Sequence, residues 1–525
     1  MKRRGVLGAG GAVVAGMWLS GCTDKGGRAQ GAPGGTTAAG SPATTRAATA
    51  TENTPGAKAP ATAGPGDWKG LAGTLHGELV RPQDAAYATA RRLYNTRFDT
   101  LRPAGIAYVT GTADIRACLT FARDTGTRPS IRSGGHSYAG FSSGDGRLVI
   151  DVSRLNSVRV GADGVAEIGA GAKLIDVYSR LGAQGRTIPG GSCPSVGISG
   201  LTLGGGHGVV SRSMGLTCDS LVGATMVTAD GQEHEVSASS DPELLWGLRG
   251  GGNGQFGVVT ALRFRTHPVP SGVVTGYLTW PWSRAAAVVR AWQQWGPDQP
   301  DAIWSALHLD CTAGGAPTVS VPMMSTGSYA GLSAAADALA TAVGAPASSV
   351  TLRRHGYIDA MFAYAGCSGL TAAQCHLAPN GRLGRETYTA RSDFYTTDLP
   401  AGGIDTMLGR MEHLPRVSGT GSASIALTAL GGAVGRLSPT ATAFPHRGAR
   451  FLAQYIASDR LTTASWLTDT HAAVRRWASG GAYANYTDPT LTSWRTAYYG
   501  PNVPRLTALK RRLDPGRLFD FPQAL

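Results

Sequence analysis

Three short glycine-rich segments constrain this chain more than any other feature, because dense glycine makes poor helices and strands. The longest is 190–208 (GGSCPSVGISGLTLGGGHG), and the others are 132–138 (RSGGHSY) and 252–257 (GNGQFG). The chain has 75 glycines in 525 residues, without the triplet period of collagen. Such clusters let backbone lie flat against a planar ligand or turn N–H groups toward an anion, so they predict a cofactor.

Residues 252–257 match G-x-G-x-x-G, the spacing of a dinucleotide-binding turn. That turn requires a helix directly after it, so that the helix N-terminus faces a pyrophosphate. The residues that follow, 258–264 (VVTALRF), are β-branched and alternating, which predicts a strand. The sequence therefore excludes a Rossmann-type site here.

The other two segments carry side chains that could react or bind a metal. His136, Cys193 and His207 lack the fixed helical or Cys-x-x-Cys spacing of metal sites, so we predict no metal. Residues 132–138 follow a predicted strand. A phosphate-binding nest and a plain structural turn are both open for them.

Short strands and helices alternate along the globular part of the chain. Between 67 and 269 the pattern predicts helices at 84–93, 114–122 and 173–181 and strands at 106–109, 130–133, 148–152 and 165–168. Between 270 and 470 it predicts strands at 273–278, 303–309 and 318–323 and helices at 284–295 and 332–343. We interpret the second region as an antiparallel sheet with helices on one face, which makes the fold class α+β.

The N-terminus predicts export from the cytoplasm. Basic residues at 2–4 precede an uncharged stretch, 5–21, that is short for a membrane span, so a signal peptide is predicted over 1–21. Residues 19–22 (LSGC) resemble a lipobox, so Cys22 is expected to be lipidated and to anchor the protein outside the cytoplasm. Ordinary secretion is the alternative, and Arg3-Arg4 partly resembles a twin-arginine signal. Residues 22–66, rich in Gly, Ala, Thr and Pro, predict a disordered linker.

The formal net charge of +14 raises the question of an anionic partner. Only 16% of the residues are charged and no long basic run appears, so we expect no nucleic-acid partner. Cys367 and Cys375 are the best candidates for a disulfide, with two free buried thiols as the alternative. Cys118 lies in an apolar helical pattern and is predicted to be in the core.

A third group of residues completes a family pattern near the C-terminus. The chain reads 483–488 (YANYTD), followed by Trp494, 498–500 (YYG), Asn502, Arg505 and 514–515 (DP). Together with 133–137 (SGGHS) and 191–197 (GSCPSVG), these residues resemble the berberine bridge enzyme-like family of flavoproteins. The FAD domain of that family is similar to those of vanillyl-alcohol oxidase and p-cresol methylhydroxylase. The resemblance covers about residue 84 to the end and is weakest between 270 and 450.

The resemblance implies a two-subdomain FAD-binding domain of the p-cresol methylhydroxylase type over 67–269 and a substrate-binding domain over 270–470. A C-terminal segment, 471–525, would return to the FAD domain. FAD would be bicovalent, with His136 bonded to the flavin 8α-methyl and Cys193 to C6. The other implied cofactor contacts are Arg132, Ser133, Gly134, Gly135, Ser137, Tyr138, Val196, Gly197, Gly204, Gly205, Gly206, Gly208, Val258, Val259 and Asn485.

The resemblance also implies a reaction, hydride transfer from an alcohol group of a sugar, an oligosaccharide or a secondary metabolite to FAD. Electrons would pass to O₂ and give hydrogen peroxide, because Val196 matches a family position associated with oxygen access. A dehydrogenase that uses a quinone or protein acceptor is one alternative. A surface lipoprotein that binds a solute without turnover is another. We expect a monomer whose only membrane contact is the lipid anchor.

Two side chains are expected to act on the substrate. Tyr486 matches the family's catalytic base, and since the free pKa of tyrosine is about 10, it needs nearby positive charge or hydrogen-bond donors. Tyr483 is the rival, and strand alternation would place it on the opposite face from Tyr486. Gln454 lies in a predicted strand, 451–456, and by resemblance its face points at the flavin. Core tyrosines and a surface-strand glutamine are the alternatives.

Overall fold

The structure of this protein is a computed structural model that describes residues 66–312, 314–414, 421–458 and 461–525, without the side chains of 461–464. The predicted signal peptide, Cys22 and nearly all of the predicted linker lie outside these residues. The described chain combines helices with mixed and antiparallel sheets, so the predicted α+β class is confirmed.

The first half of the described chain forms two main sheets. Its strands are β1 (Glu78–Val80), β2 (Gly105–Tyr108), β3 (Pro129–Arg132), β4 (Leu148–Asp151), β5 (Val158–Val160), β6 (Val165–Gly169), β7 (Arg186–Thr187), β8 (Leu221–Val227), β9 (Glu233–Ser237), β10 (Val258–Arg265) and β11 (His267–Pro268). Its helices are α1 (Trp68–Thr74), α2 (Tyr87–Ala90), α3 (Thr112–Thr125), α4 (Leu174–Gly182), α5 (Ile198–Leu203), α6 (Ser211–Met214) and α7 (Pro242–Leu248). One sheet has the order β1-β2-β4-β3, with β2, β4 and β3 parallel. The other is antiparallel with the order β5-β6-β10-β8-β9, and β7 pairs separately with β11.

Helix α3 illustrates how sequence spacing builds this part of the core. Ile115, Cys118, Leu119 and Ala122 recur on one face of the helix, and all four are buried against the sheets. Gly126 ends the helix in the left-handed conformation at a φ of +70°, which glycine adopts without steric cost. The predictions of this helix and of a core position for Cys118 are confirmed.

The second half forms one seven-stranded antiparallel sheet. Its strands are β12 (Val273–Trp280), β13 (Ile303–Thr312), β14 (Thr318–Ser325), β15 (Ser349–His355), β16 (Tyr388–Tyr395), β17 (Ser422–Ala429) and β18 (Phe451–Ser458), in the order β15-β12-β14-β13-β17-β18-β16. The helices are α8 (Ala285–Trp295), α9 (Tyr329–Val343), α10 (Tyr357–Tyr364), α11 (Ala401–His413) and α12 (Leu461–Val474). Helices α8, α9, α11 and α12 share one core with a single face of the sheet, as the sequence predicts. Helix α10 packs against α4 instead.

Side-chain alternation separates the two faces of this sheet. On β13, Leu307 and Leu309 pack in the core beneath the helices, whereas Trp304 and His308 point to the other face and line a cavity. On β18, Gln454 also lines that cavity while its neighbours along the strand join the helix-side core. The face opposite helices α8, α9, α11 and α12 therefore lines the cavity, and helix α10 covers part of that same face through Tyr364, whose ring contacts Trp304.

The C-terminal residues pack against the first half of the chain. Helices α13 (Trp494–Tyr499) and α14 (Val503–Leu513) are joined by a short turn. Leu506, Leu509 and Phe519 share a core with Leu248 and Phe256. This packing carries residues 483–486 to the cavity. The residue limits given above for the domains stay predictions.

The helix predicted at 84–93 is too long, because tertiary contacts override its local pattern. Only α2 is helical in this range. Tyr94 donates a backbone hydrogen bond to Gly135 O at 3.1 Å, and its ring stacks on His136 with centroids 3.9 Å apart. The chain leaves the helix early in order to reach the loop after β3.

The longest glycine-rich segment and one cysteine pair have defined local structure. The segment 190–208 contains a six-residue helix, α5, although its glycine content predicts neither helix nor strand. Only Gly200 lies within α5, and Thr202 Oγ1 donates to Ile198 O at 2.7 Å, so the glycines flank the helix more than they interrupt it. Cys367 and Cys375 form a disulfide, as predicted.

Candidate active site

A cavity lies between the glycine-rich segments and the face of the seven-stranded sheet that bears Trp304, His308 and Gln454. Its volume is about 330 Å³. Its wall combines the loop after β3, the residues around α5, the C-terminal residues and strands β13, β17 and β18. A typical small-ligand site measures ~300–1,000 Å³. This cavity is therefore of the size expected for a ligand-binding site.

The loop after β3 is shaped to hold an anion. Lys173 Nζ donates to Ser133 O at 2.7 Å, and Ser133 Oγ donates to Ala170 O at 2.6 Å, which anchors the loop. A Cβ on Gly134 would lie 2.3 Å from Gly197 N, so only glycine allows this approach. Among the described residues, the backbone N–H groups of 134–138 have no acceptor. Unpaired N–H groups at a cavity wall favour the phosphate-binding nest over a plain turn.

His136 sits between this loop and the segment that contains Cys193. Its Nε2 lies 2.9 Å from Ser195 Oγ, and its ring is stacked on Tyr94. Burial, and then the nearby Lys173 ammonium, lowers the pKa of His136 to about 3. The imidazole is therefore neutral at physiological pH and has a nucleophilic lone pair. His136 and Cys193 both line the cavity.

An aromatic and polar cluster forms another part of the wall. The Tyr486 hydroxyl lies 2.7 Å from His207 Nε2, and the Tyr486 ring stacks on Tyr138 with centroids 5.1 Å apart. Gln454 Nε2 donates to the Tyr138 hydroxyl at 2.9 Å. The Tyr483 hydroxyl accepts from Gly206 N at 2.7 Å. Burial raises the pKa of all three phenols above the usual value of tyrosine.

The expectation that Tyr483 and Tyr486 lie on opposite faces is wrong. Residues Ala484–Tyr486 form a 3₁₀ turn that Tyr483 precedes, so the strand period does not apply. With three residues per turn, side chains three positions apart lie on the same side. The two ring centroids are 5.0 Å apart, and both residues line the cavity.

Most of the predicted cofactor contacts meet at the cavity wall. They are Ser133, Gly134, Gly135, His136, Ser137, Tyr138, Cys193, Val196, Gly197, Gly208 and Asn485, and the predicted catalytic residues Tyr486 and Gln454 join them. Arg132 does not line the cavity, because it is buried and paired with Asp151 beneath the loop. Val258 and Val259 are also outside it, because they are buried in β10 and pair with β8.

Gly204, Gly205 and Gly206 lie behind the wall rather than in it. A Cβ on Gly204 would come 2.1 Å from Asn485 Oδ1, and Gly205 and Gly206 have φ angles of +128° and +85°. These glycines let the C-terminal segment approach, because their backbone is where Tyr483 and Asn485 pack. Their predicted contact with the cofactor stays a prediction.

Several residues of the wall were outside the predicted set. Trp304 and His308 of β13 are each 3% exposed, and Trp304 Nε1 and His308 Nε2 are buried without a partner among the described residues. Strand alternation could have placed both on one face, but nothing local indicates which face meets a ligand. His207 lies within the longest glycine-rich segment, where the sequence excluded a metal site and gave this residue no other role. Its contact with Tyr486 depends on the fold.

Two general features of the described residues bear on the kind of site. No group of three or more His, Cys, Asp or Glu side chains there is placed to hold a metal ion. None of the described helices is both long and apolar enough to cross a membrane.

Comparison with known proteins is consistent with this arrangement. Residues 103–237 match the family description "FAD binding domain", and residues 482–525 match "Berberine and berberine like". The chain is 32% identical over 457 residues to the chitooligosaccharide oxidase of Gibberella zeae, covering 82% of this chain and 89% of that protein. It is 30% identical over 451 residues to the xylooligosaccharide oxidase of Thermothelomyces thermophilus, covering 81% and 87%. The solved structure of BBE-like 1 from Physcomitrella patens has a TM-score of 0.80 at 27% identity, covering 87% of this chain and 98% of that one.

Proposed function

This chain belongs to the berberine bridge enzyme-like family of FAD-linked oxidases, and we propose that it oxidises an alcohol group of an oligosaccharide, with O₂ as the oxidant and hydrogen peroxide as the product. The observation that carries the proposal is a single cavity. It joins an anion-binding loop and a hydrogen-bonded tyrosine, Tyr486, to polar groups on an open sheet face. Two relatives of this chain are named for the oxidation of oligosaccharides.

The residues around the cavity fit FAD. Unpaired N–H groups at 134–138 suit its pyrophosphate, with the Lys173 ammonium beside the loop. The glycines of 190–200 carry no side chain that would keep the backbone away from a planar ring. Bound FAD supplies the hydride acceptor for the alcohol C–H bond. The protein contributes the binding site, the orientation of the substrate and the base.

Two residues are proposed to hold the flavin covalently, His136 at the 8α-methyl and Cys193 at C6. The neutral imidazole of His136 supports its part, because only an unprotonated nitrogen can form such a bond. The second link would form from the Cys193 thiolate, which is the reactive form of cysteine.

The substrate class follows from the sheet side of the cavity. Trp304, His308 and Thr428 line it together with Gln454, and the buried Trp304 Nε1 and His308 Nε2 have no partner among the described residues. Buried polar groups without partners cost free energy, and a hydroxyl-rich ligand would satisfy them. Aromatic rings beside hydrogen-bonding groups suit a sugar better than a simple apolar alcohol. We propose that strands β13, β17 and β18 form the oligosaccharide subsite.

A peroxide assay across a substrate panel tests this function. The flavin-loaded protein is expected to produce peroxide with at least one of cellobiose, xylobiose and N,N′-diacetylchitobiose. Its kcat/KM for benzyl alcohol should be much lower than that for the best of these sugars. Trp304→Phe and His308→Leu should each raise KM for the best sugar about fivefold to tenfold, because each variant loses about one hydrogen bond to the sugar. The kcat of each variant should change little.

Trp466→Phe is the matched control for the sheet variants. Trp466 is buried like Trp304, but its Nε1 donates to Arg410 O at 2.7 Å. It packs in the helix-side core of the sheet and does not line the cavity. Its KM should stay at the parent value. Reduction of a quinone or a protein acceptor without peroxide would reject the oxidase in favour of a dehydrogenase. An unchanged KM in both β13 variants would reject the subsite.

The cellular location is proposed from the N-terminal sequence alone, because residues 1–65 lie outside the described part of the chain. We propose that the protein is a lipoprotein anchored outside the cytoplasm through Cys22. Cys22→Ala should move it from the membrane fraction to a soluble or unprocessed form, with Cys118→Ala as a control that leaves it in the membrane. Recovery of the parent protein from the cytosol would contradict the proposal.

A further inference from the structure

We infer that His207 is a positioning residue that donates a hydrogen bond from Nε2 to the Tyr486 oxygen and stabilises the phenolate that takes the substrate proton. The inference rests on the proposed function, because it concerns the base of the same reaction. It answers a question that the sequence leaves open. A buried tyrosine is a poor base unless a neighbouring group favours its ionised form.

The contact between the two side chains is direct. His207 Nε2 and the Tyr486 oxygen are 2.7 Å apart, which is in the range of charge-assisted N–H···O⁻ bonds. The rings meet nearly at right angles, 84°, with centroids 5.6 Å apart, so the edge of one ring faces the other. Both residues line the cavity. No other described side chain makes a hydrogen bond to the Tyr486 hydroxyl.

The protonation of His207 follows from its other nitrogen. Burial lowers the pKa of His207 to about 4, so the ring is neutral and carries one proton. Nδ1 is buried and has no hydrogen-bond partner among the described residues. A buried N–H without an acceptor is rarer than an unpaired lone pair. We therefore assign the proton to Nε2, where it can be donated to Tyr486.

Among the titratable side chains of the described residues that face Tyr486, only His207 makes a hydrogen bond to the Tyr486 oxygen. The titratable side chains that face Tyr486 are His207, Tyr138 and Tyr483, and both neighbouring phenols are neutral because burial raises their pKa. The Tyr138 hydroxyl is engaged with Gln454, and the Tyr483 hydroxyl accepts from Gly206 N. Neither hydroxyl makes a hydrogen bond to Tyr486 in the described structure. Burial raises the pKa of Tyr486, and the His207 N–H opposes that effect.

The proton balance is simple. The O–H bond of the substrate alcohol breaks and an O–H bond forms on Tyr486, while the Nε2–H bond of His207 stays intact. Before the next turnover, the proton leaves Tyr486 for solvent through the cavity mouth. His207 is neither oxidised nor reduced, and its effect is on how readily Tyr486 ionises.

The test compares His207→Phe, His207→Leu and His207→Gln in the flavin-loaded protein, with cellobiose, xylobiose or N,N′-diacetylchitobiose, whichever the parent oxidises best. In the apolar variants the acid limb of the kcat profile should move to higher pH by about one unit or more. Turnover at neutral pH should then fall about tenfold and recover as the pH rises. Gln keeps an N–H at this position and should restore most of the parent profile. A merely structural role would not shift the acid limb.

A second measurement needs neither turnover nor an apolar variant. The ¹⁵N spectrum of histidine-labelled parent, with His207 assigned by its loss in His207→Gln, should show a protonated Nε2 and an unprotonated Nδ1. A protonated Nδ1 would overturn the inference, as would an unmoved acid limb in an apolar variant that retains its flavin. If no sugar is oxidised, the proposed function fails while the nitrogen assignment is still decided by the spectrum.

Discussion

Tyr486→Phe is expected to lower turnover about 100-fold or more while leaving the flavin bound, which is the usual loss when a general base is removed. Phenylalanine keeps the ring that stacks on Tyr138 and removes only the oxygen that takes the substrate proton. Steady-state peroxide formation measures the loss, and the flavin absorbance of the denatured protein shows whether the cofactor is retained.

Tyr483→Phe is the matched control for this prediction. Tyr483 is 2% exposed, and its oxygen accepts from Gly206 N at 2.7 Å and from Asn485 Nδ2 at 2.9 Å. These two donors occupy the lone pairs of the Tyr483 oxygen that a substrate proton would need. Tyr486 is half-buried, and its oxygen has a single hydrogen-bond partner, His207 Nε2. We expect the larger loss of turnover in Tyr486→Phe. If Tyr486→Phe keeps activity within a few-fold of the parent, the base is Tyr483 or a residue of the seven-stranded sheet.

The combined variant His136→Ala, Cys193→Ala is expected to release all of its FAD on denaturation. Each single variant should retain one covalent link, because the two residues lie in separate segments of the cavity wall and each is proposed to bond a different flavin atom. Denaturing electrophoresis with flavin fluorescence measures the retained fraction. Mass spectrometry of flavin-bearing peptides identifies the attachment sites.

Cys118→Ala is the control for the flavin variants. Cys118 is a buried cysteine in helix α3 that does not line the cavity, so its removal should leave the attachment complete. The parent should be loaded under reducing conditions, because the C6 link needs the Cys193 thiolate. Quantitative release of FAD from the parent by acid would show that neither bond forms. Retention by His136→Ala but not by Cys193→Ala would leave Cys193 as the single attachment site.

Much of this molecule can be predicted from local spacing. The four apolar positions of α3, the strand after Gly257 and the alternation on β18 all depend on side chains a few residues apart, so the helical and strand periods are enough to find them. The glycine clusters likewise mark where backbone must approach backbone, as Gly134 and Gly197 do. The family resemblance rests on the same short motifs. For that reason the sequence could indicate FAD before any fold was known.

The partners within the site depend on tertiary structure, because they join residues far apart in the chain. His207 and Tyr486 are 279 positions apart in the sequence, and Tyr138 and Gln454 are 316 positions apart. The helical and strand periods relate only residues a few positions apart, so they cannot predict these pairs. Tertiary contacts also shorten the helix predicted at 84–93 and place Tyr483 beside Tyr486 through a 3₁₀ turn. The sequence by itself determined that glycine-rich segments approach other backbone closely and line the cavity, since backbone freedom is a local property. The fold decided which side chain lies against Tyr486 and which sheet face lines the cavity, since burial and hydrogen bonding arise only when distant segments pack together.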